Sequence, residues 1–184
     1  MKTKIIPALQ KSRHGDRSGS RSERTARGGQ DSRIGLEPIT GSVLLIGYGN
    51  PGRLDDGLGP ALAEAATRMA VERLTVESCY QLAVEHAAQM ADFDVVIFAD
   101  ADLRGPEPYR FERLQPGTET PFTTHHVEPA TLLGLTRDLF GATPDGFLLG
   151  IRGYEFNDFG ERLSPGAQKN LAAAECLLKS QLQT

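Results

Sequence analysis

The sequence predicts one doubly wound α/β domain, in which helices cover both faces of a mostly parallel sheet. After residue 38, apolar segments of strand length alternate with segments whose apolar residues recur at helical spacing. Two of the strands, within 43–48 and 94–99, are almost continuously apolar, as parallel strands covered on both faces are. The length of 184 residues suits a single domain with a real core.

The elements can be placed in chain order. Five strands are predicted, at 42–48, 74–78, 94–99, 109–114 and 147–151, and the fourth is expected at an edge of the sheet. Four helices are predicted, at 57–70, 82–90, 129–140 and from 165 to about 182. Pro129 and Pro165 stand in first helical turns, where a missing N–H costs nothing, and Ser164 is the predicted N-cap of the last helix.

Composition divides the chain into two parts. Residues 1–40 hold nine Lys/Arg against four Asp/Glu and few apolar residues after position 10, so we predict a disordered basic tail. A basic arm for RNA or for an acidic partner is the alternative for this segment. Residues 41–184 hold 11 basic and 20 acidic residues, which disfavours nucleic-acid binding by the domain.

Location is predicted from signals that the sequence lacks. No apolar run reaches membrane-spanning length, and the N-terminus has no signal-peptide pattern. Cys79 and Cys176, the two cysteines, show no metal-ligand or disulfide spacing. We therefore expect a cytoplasmic protein, with no membrane partner.

The loop after the first strand carries two competing signals. Its Gly-x-Gly-x-x-Gly pattern at 47–52, with Glu77 at the end of the second strand, is typical of a dinucleotide site. However, Asp55 and Asp56 stand at the start of the next helix, where a pyrophosphate would need bare N–H groups. The two carboxylates favour a metal ion or a catalytic water, and the glycines then serve close backbone packing.

Polar residues follow two further elements. Asp100 and Asp102 come directly after the third predicted strand, and His125 and His126 stand just before the helix that begins at Pro129. Taken singly, such residues are often caps or surface groups. Together with the acidic loop they offer two carboxylates and an imidazole, a set that can hold a divalent transition metal and leave positions open. No Ser-His-Asp or Cys-His arrangement is visible, so no acyl-enzyme is expected.

Residues 43–178 resemble the nickel–iron hydrogenase maturation endopeptidases. The resemblance rests on five pieces: Gly47-x-Gly49-Asn50 with Asp55-Asp56-Gly57-x-Gly59, Gln81-Leu82-x-x-Glu85, Asp100-Ala101, Thr124-His125 before Pro129, and Gly150-Ile151 leading to Leu163-Ser164-Pro165. The first and fourth are specific as a pair, and the others are weak individually. Peptidyl-tRNA hydrolases share the Gly-Asn-Pro-Gly turn, but they need a histidine shortly after it.

The resemblance implies a three-layer α/β/α fold with a mostly parallel, twisted sheet of about five strands. It also implies that Asp56, Asp100 and His125 contact a nickel ion (Ni²⁺) supplied by the substrate, and that they form the catalytic site. His126 is the alternative histidine, although the spacing to Pro129 favours His125. The implied activity is cleavage of a C-terminal extension from a hydrogenase large-subunit precursor by a monomeric protein. The alternative is a non-catalytic nucleotide- or nickel-binding module on the same fold.

Overall fold

The computed structural model describes residues 38–117 and 127–182. This part of the chain contains five strands and four helices. In chain order they are β1 (Val43–Tyr48), α1 (Leu58–Thr67), β2 (Leu74–Cys79), α2 (His86–Met90), β3 (Val95–Asp102), β4 (Tyr109–Leu114), α3 (Pro129–Phe140), β5 (Asp145–Arg152) and α4 (Pro165–Leu182). A single 3-10 turn, Leu54–Gly57, leads directly into α1.

The strands form one sheet in the order β2-β1-β3-β5-β4. All neighbouring pairs are parallel except β4 with β5, which is antiparallel. The fourth strand is therefore at an edge, as predicted. Because β1 and β3 lie inside the sheet and are covered on both faces, nearly every residue in their first halves is buried.

Two clusters of apolar side chains form the core, one on each face of the sheet. Leu45 and Ile97 face α1 and α4, whereas Leu44 and Phe98 face α2 and α3. The protein thus has the predicted three-layer α/β/α architecture. No helix within the described residues is long and apolar enough to cross a membrane.

Strand alternation continues to the carboxyl edge of the sheet. β3 extends to Asp102 rather than ending at 99, so Asp100 lies inside the strand and not in the following loop. Gly47 pairs with Ala99, so the next residues, Tyr48 and Asp100, are also neighbours. Since successive side chains point to opposite faces, both lie on the face of Phe98, the α3 face.

The second helix is shorter than predicted. It begins at His86 instead of residue 82, although Leu82 is buried. The imidazole Nδ1 of His86 accepts a hydrogen bond from the Ala83 N–H at 2.9 Å. The turn before His86 is closed by shorter-range bonds, from the N–H groups of His86 and Ala87 to the carbonyls of Ala83 and Val84, both at 3.1 Å, so the α-helical pattern starts only at His86.

The described domain begins before residue 41. Ile39 is 94% buried against the α4 face, and its N–H donates to the carbonyl of Gln181 at 3.1 Å. The guanidinium of Arg73 donates to the carbonyls of Ile39 and Leu182 at 2.7 and 2.9 Å. These contacts fix the entry to β1. Residues 1–37 of the predicted disordered tail lie outside the described residues.

Candidate active site

The glycines at the end of β1 are packed tightly against the 3-10 turn and the first turn of α1. A Cβ on Gly47 would collide with the carbonyl of Gly59, and one on Gly49 with the carbonyl of Asp56. Gly49 also has a φ of 136°, which side-chain-bearing residues rarely adopt. The glycines therefore serve close approach of the backbone, and they do not frame an open surface for a pyrophosphate.

Asp55 is fully buried on the α4 face and is saturated with hydrogen bonds. Its carboxylate accepts from the N–H groups of Tyr154 and Glu155 at 2.8 and 2.9 Å. It also accepts from the N–H and the hydroxyl of Ser164, both at 2.7 Å. The same Ser164 hydroxyl oxygen accepts from the N–H of Ala167 at 3.2 Å and so caps α4, as predicted.

The electrostatics of Asp55 agree with a structural role. Burial alone would raise the pKa of its carboxyl, but the donors of Glu155, Ser164 and Tyr154 outweigh burial and lower the pKa. The carboxylate thus stays ionised and has its acceptor positions filled. The interpretation that both loop carboxylates serve a metal is wrong for Asp55, because its charge is used to join the β1 loop to the start of α4.

Asp56 is placed differently. It is partly exposed, and its carboxylate accepts a hydrogen bond from the N–H of Asn50 at 3.1 Å. The amide oxygen of Asn50 in turn accepts from the N–H of Gly52 at 2.9 Å, which closes the turn. These bonds hold the Asp56 side chain against Asn50, which lies two residues after Tyr48, the last residue of β1.

Asp100 lines a small cavity at the carboxyl edge of the sheet, on the α3 face. The cavity has a volume of about 210 Å³, and Tyr48, Glu128 and Gly150 also line it. The Asp100 carboxylate accepts from the N–H of Ala101 at 2.7 Å and is hydrogen-bonded to the hydroxyl of Tyr48. Three carboxylates, those of Asp100, Asp102 and Glu128, therefore line one partly enclosed space together with the Tyr48 hydroxyl and the Arg110 side chain.

The hydroxyl of Tyr48 remains a donor at all ordinary pH values. Burial, the charge of Asp100, the hydrogen bond to Asp100 and the charge of Glu128 all raise the pKa of Tyr48 far above its usual value. Glu128 is the N-cap residue of α3, with extended backbone at φ −76° and ψ 146°. Sequence reasoning missed both residues. The sequence places Tyr48 at the end of an apolar strand, but its register with Asp100 is seen only in the structure.

Asp102, the other acidic residue of β3, organises the following turn. Its carboxylate accepts from the N–H groups of Arg104 and Gly105 at 2.9 and 2.7 Å, and it pairs with Arg110 at 3.1 Å. Burial would raise the pKa of Asp102, but these donors and the charges of Arg110 and Arg152 lower it. Asp102 is thus occupied within the protein.

Neither cysteine has the environment of a nucleophile. Burial and the charge of Glu77 raise the pKa of the Cys79 thiol, whereas a nucleophilic cysteine needs a lowered one. Cys176 is exposed on α4, far along the chain from the strand ends. The expectation that no acyl-enzyme forms is consistent with this.

The predicted histidine cannot be placed in this geometry. His125 and the alternative His126 lie outside the described residues, so only Asp56 and Asp100 of the predicted set have described positions. Both belong to segments at the carboxyl edge of the sheet. Within residues 38–117 and 127–182, no three His, Cys, Asp or Glu side chains form a group that could hold a metal ion.

A larger cleft lies on the other face, beside α1 and the outer edge of β2. Its volume is about 560 Å³, and its ionisable lining residues are Glu64 and Glu161. The smaller cavity has less room but holds Asp100, Glu128 and the Tyr48 hydroxyl together. Chemistry depends on converging polar groups, so the smaller cavity is the better candidate for the reacting centre.

Comparison with solved structures shows which proteins share this fold. The chain is similar to the NiFe hydrogenase maturation protease HycI from Thermococcus kodakarensis KOD1 at 21% identity, over 78% of this chain and 93% of that one, with a TM-score of 0.62. It is also similar to the hydrogenase maturating endopeptidase HybD from E. coli at 20% identity, over 77% of this chain and 92% of that one, with a TM-score of 0.61. A third similar structure is the hydrogenase 2 maturation peptidase from Thaumarchaeota archaeon SCGC_AB-539-E09, at 22% identity, over 77% of this chain and 97% of that one, with a TM-score of 0.58.

Sequence comparisons add nothing to these structural likenesses. No protein-family model matches the chain, and no curated protein matches it. At these identities the solved structures show a common fold, extending over nearly their whole length.

Proposed function

We propose that this protein is an endopeptidase that removes a C-terminal extension from a nickel-loaded hydrogenase large-subunit precursor. The observation that carries the proposal is the cavity with Asp100 at the carboxyl edge of the sheet, in a fold shared with solved hydrogenase maturation proteases. Ligands of doubly wound sheets bind beyond the carboxyl ends of the strands, which is where this cavity lies.

Asp56, Asp100 and His125 would contact the nickel ion that the substrate already carries. Carboxylate oxygens and imidazole nitrogens suit a divalent transition metal, and three such groups leave positions for the substrate's own ligands. His125 precedes Glu128 by three residues, so the Cα atoms of these two residues can be at most about 10 Å apart. Since Glu128 lines the cavity with Asp100, this separation supports including His125 in the set.

The reaction would be hydrolysis by a positioned water molecule. The nickel bound in the substrate, or one of the two carboxylates, would polarise the water for attack on the carbon of the scissile peptide bond. The C–N bond then breaks, and a proton from the water passes to the leaving amine nitrogen. Contact with the nickel holds that bond at a fixed distance from the attacking water, which converts an encounter between molecules into a step within one complex. The raised pKa of Cys79 supports direct hydrolysis over a thioester route.

Exposed apolar side chains support a protein as the substrate. Of the seven large apolar residues exposed in the described part of the chain, three lie in the segments that follow the carboxyl ends of β2 and β3. They are Tyr80, Val84 and Leu103. Apolar side chains exposed at this edge of the sheet are typical of surfaces that bind other proteins.

The alternative functions differ in what they require of the site. A dinucleotide would need the glycine loop to be open, but Gly47 and Gly49 are packed against the first turn of α1. A protein that binds nickel without cutting would use the same three side chains. Only the fate of the precursor separates this alternative from the peptidase.

The test is cleavage of a purified precursor, with and without nickel, followed by its size shift on a gel. We expect the nickel-loaded form to be cleaved much faster than the nickel-free form. Asp56→Ala, Asp100→Ala and His125→Ala should each lower the rate by at least about 100-fold, because each removes a group that touches the nickel. Circular dichroism should show that the three variants remain folded.

Two controls accompany these variants. Asp145→Ala removes a half-exposed carboxylate at the opposite end of β5, where it pairs with Arg113, and it should cleave at the wild-type rate. His126→Ala should also retain activity. Full-rate cleavage of nickel-free precursor would refute metal recognition. Loss of activity in His126→Ala but not in His125→Ala would assign the nickel contact to His126 instead of His125. Nickel-dependent binding without cleavage would favour the non-catalytic alternative.

A further inference from the structure

The hydroxyl of Tyr48 has no packing role that explains it. The ring continues the apolar face of β1 that meets α2 and α3, and phenylalanine would fill that space as well. The hydroxyl adds a polar group to a largely buried position, which costs free energy unless the group is hydrogen-bonded. Its partner is the carboxylate of Asp100 in the neighbouring strand.

Two hydrogen bonds therefore restrain the Asp100 carboxylate. The N–H of Ala101 donates to Oδ1 at 2.7 Å, and the Tyr48 hydroxyl donates from the adjacent strand. One bond leaves a carboxylate able to rotate about its last torsion, which is broad for aspartate. A second bond from a different strand limits that rotation and so selects the oxygen lone pairs that face the cavity.

We propose that Tyr48 is a positioning residue, whose hydroxyl orients the Asp100 carboxylate toward the nickel ion of the bound precursor. The inference rests on the proposed function, since it assigns Asp100 the same contact. A donor to a metal-binding carboxylate also lowers the repulsion between Asp100 and Glu128, which share the cavity. Tyr48 touches neither the nickel nor the scissile bond, and it acts through Asp100.

The decisive variant is Tyr48→Phe, which removes one oxygen and keeps the ring. The matched control is Tyr154→Phe, whose hydroxyl accepts from the side-chain amide of Asn170 at 2.9 Å on the α4 face. Both variants lose a hydroxyl that is hydrogen-bonded within the protein, but only Tyr48 bonds to a proposed nickel contact. The readout is kcat/KM for nickel-loaded and for nickel-free precursor, with thermal unfolding measured alongside.

We expect Tyr48→Phe to lower kcat/KM on the nickel-loaded precursor by about 10- to 100-fold, as loss of partners of metal-binding groups does. The residual rate on nickel-free precursor should not change, because that rate does not use the contact. Tyr154→Phe should leave both rates unchanged. In an Asp100→Asn background, Tyr48→Phe should have little further effect, since the two changes act on one interaction.

Each result separates this inference from the proposed function. If the wild-type protein does not discriminate between nickel-loaded and nickel-free precursor, nickel recognition fails, and the role of Tyr48 fails with it. If the wild type discriminates and Asp100→Asn does not, but Tyr48→Phe discriminates fully, only the role of Tyr48 is overturned. An equal loss in Tyr154→Phe, or an undiminished effect of Tyr48→Phe beside Asp100→Asn, would also overturn it.

Discussion

Asp55 and Asp100 lie at the same edge of one sheet but on opposite faces, and their surroundings differ. On the α4 face, Asp55 is fully buried and accepts four hydrogen bonds from three residues. On the α3 face, Asp100 is partly exposed and lines a cavity with Tyr48 and Glu128. One carboxylate is enclosed by donors of its own chain, and the other faces a space that a ligand can enter.

The difference shows that proximity to a binding edge does not make a carboxylate functional. A carboxylate whose acceptor positions are filled by fixed donors stabilises the fold, because exchanging those donors for a ligand would leave buried N–H groups unpaired. A carboxylate beside a cavity can accept a ligand without that cost. The α4 face of the sheet edge thus holds a structural carboxylate, whereas the α3 face holds the proposed site, and three changes test this difference.

The largest effect is expected from Asp55→Ala. This change leaves three backbone N–H groups and the Ser164 hydroxyl without their acceptor. The free energy of unfolding should therefore fall by about 3 kcal/mol or more. Asp56→Ala is the matched control from the next position, and it should cost less than about 1 kcal/mol. Urea unfolding at neutral pH measures both. Equal losses would mean that the buried hydrogen bonds of Asp55 stabilise the fold no more than the partly exposed carboxylate of Asp56 does.

A smaller effect is expected from acid. The folded-state pKa of Asp55 lies below its unfolded value, so its contribution to stability is complete above about pH 4 and is lost as the pH falls through the lower, folded-state pKa. Asp102 contributes with the same sign. Urea unfolding of wild type and Asp55→Asn from pH 7 to pH 2.5 should show a stability difference that shrinks only at acidic pH. A constant difference would mean that the charge of Asp55 does not stabilise the α4 face.

The smallest effect is expected from deleting residues 1–37. Ile39 is buried against the α4 face, whereas the preceding sequence has little apolar surface to bury, so the melting temperature should change by no more than a few degrees. A deletion of residues 1–40 serves as the comparison variant, because it also removes Ile39 and its hydrogen bond to Gln181. A large fall in the shorter deletion would show that the α4 face needs the tail.

The sequence predicts the sheet and most helix bounds because those follow from apolar periodicity and proline. α3, for example, begins and ends at the predicted residues, Pro129 and Phe140. The sequence could not distinguish Asp55 from Asp56, since the difference depends on donors about 100 residues away along the chain. Apolar periodicity also places the start of α2 too early, because it does not show that the residues before His86 form a turn closed by bonds between residues three apart.

The candidate site was predicted less completely than the fold. Asp56 and Asp100 do lie in segments at the carboxyl edge, but whether they contact nickel stays a prediction, as does the role of His125. Strand periodicity places Tyr48 in an apolar strand, but it does not say which side chain meets a carboxylate. The pairing of Gly47 with Ala99 supplies that missing register.

The bonds between Asp55 and Ser164 have a consequence for how the protein is made. The two residues are 109 positions apart, and the 3-10 turn that contains Asp55 also contains Asp56. During synthesis, β1 and α1 leave the ribosome long before residue 164 exists, so the turn lacks its closing partners for several seconds at ordinary elongation rates. The turn that bears Asp56 is thus held by these hydrogen bonds only once Ser164 has been made. A nascent chain is therefore expected to be inactive until its last helix is in place, so unfinished copies would not act on a precursor.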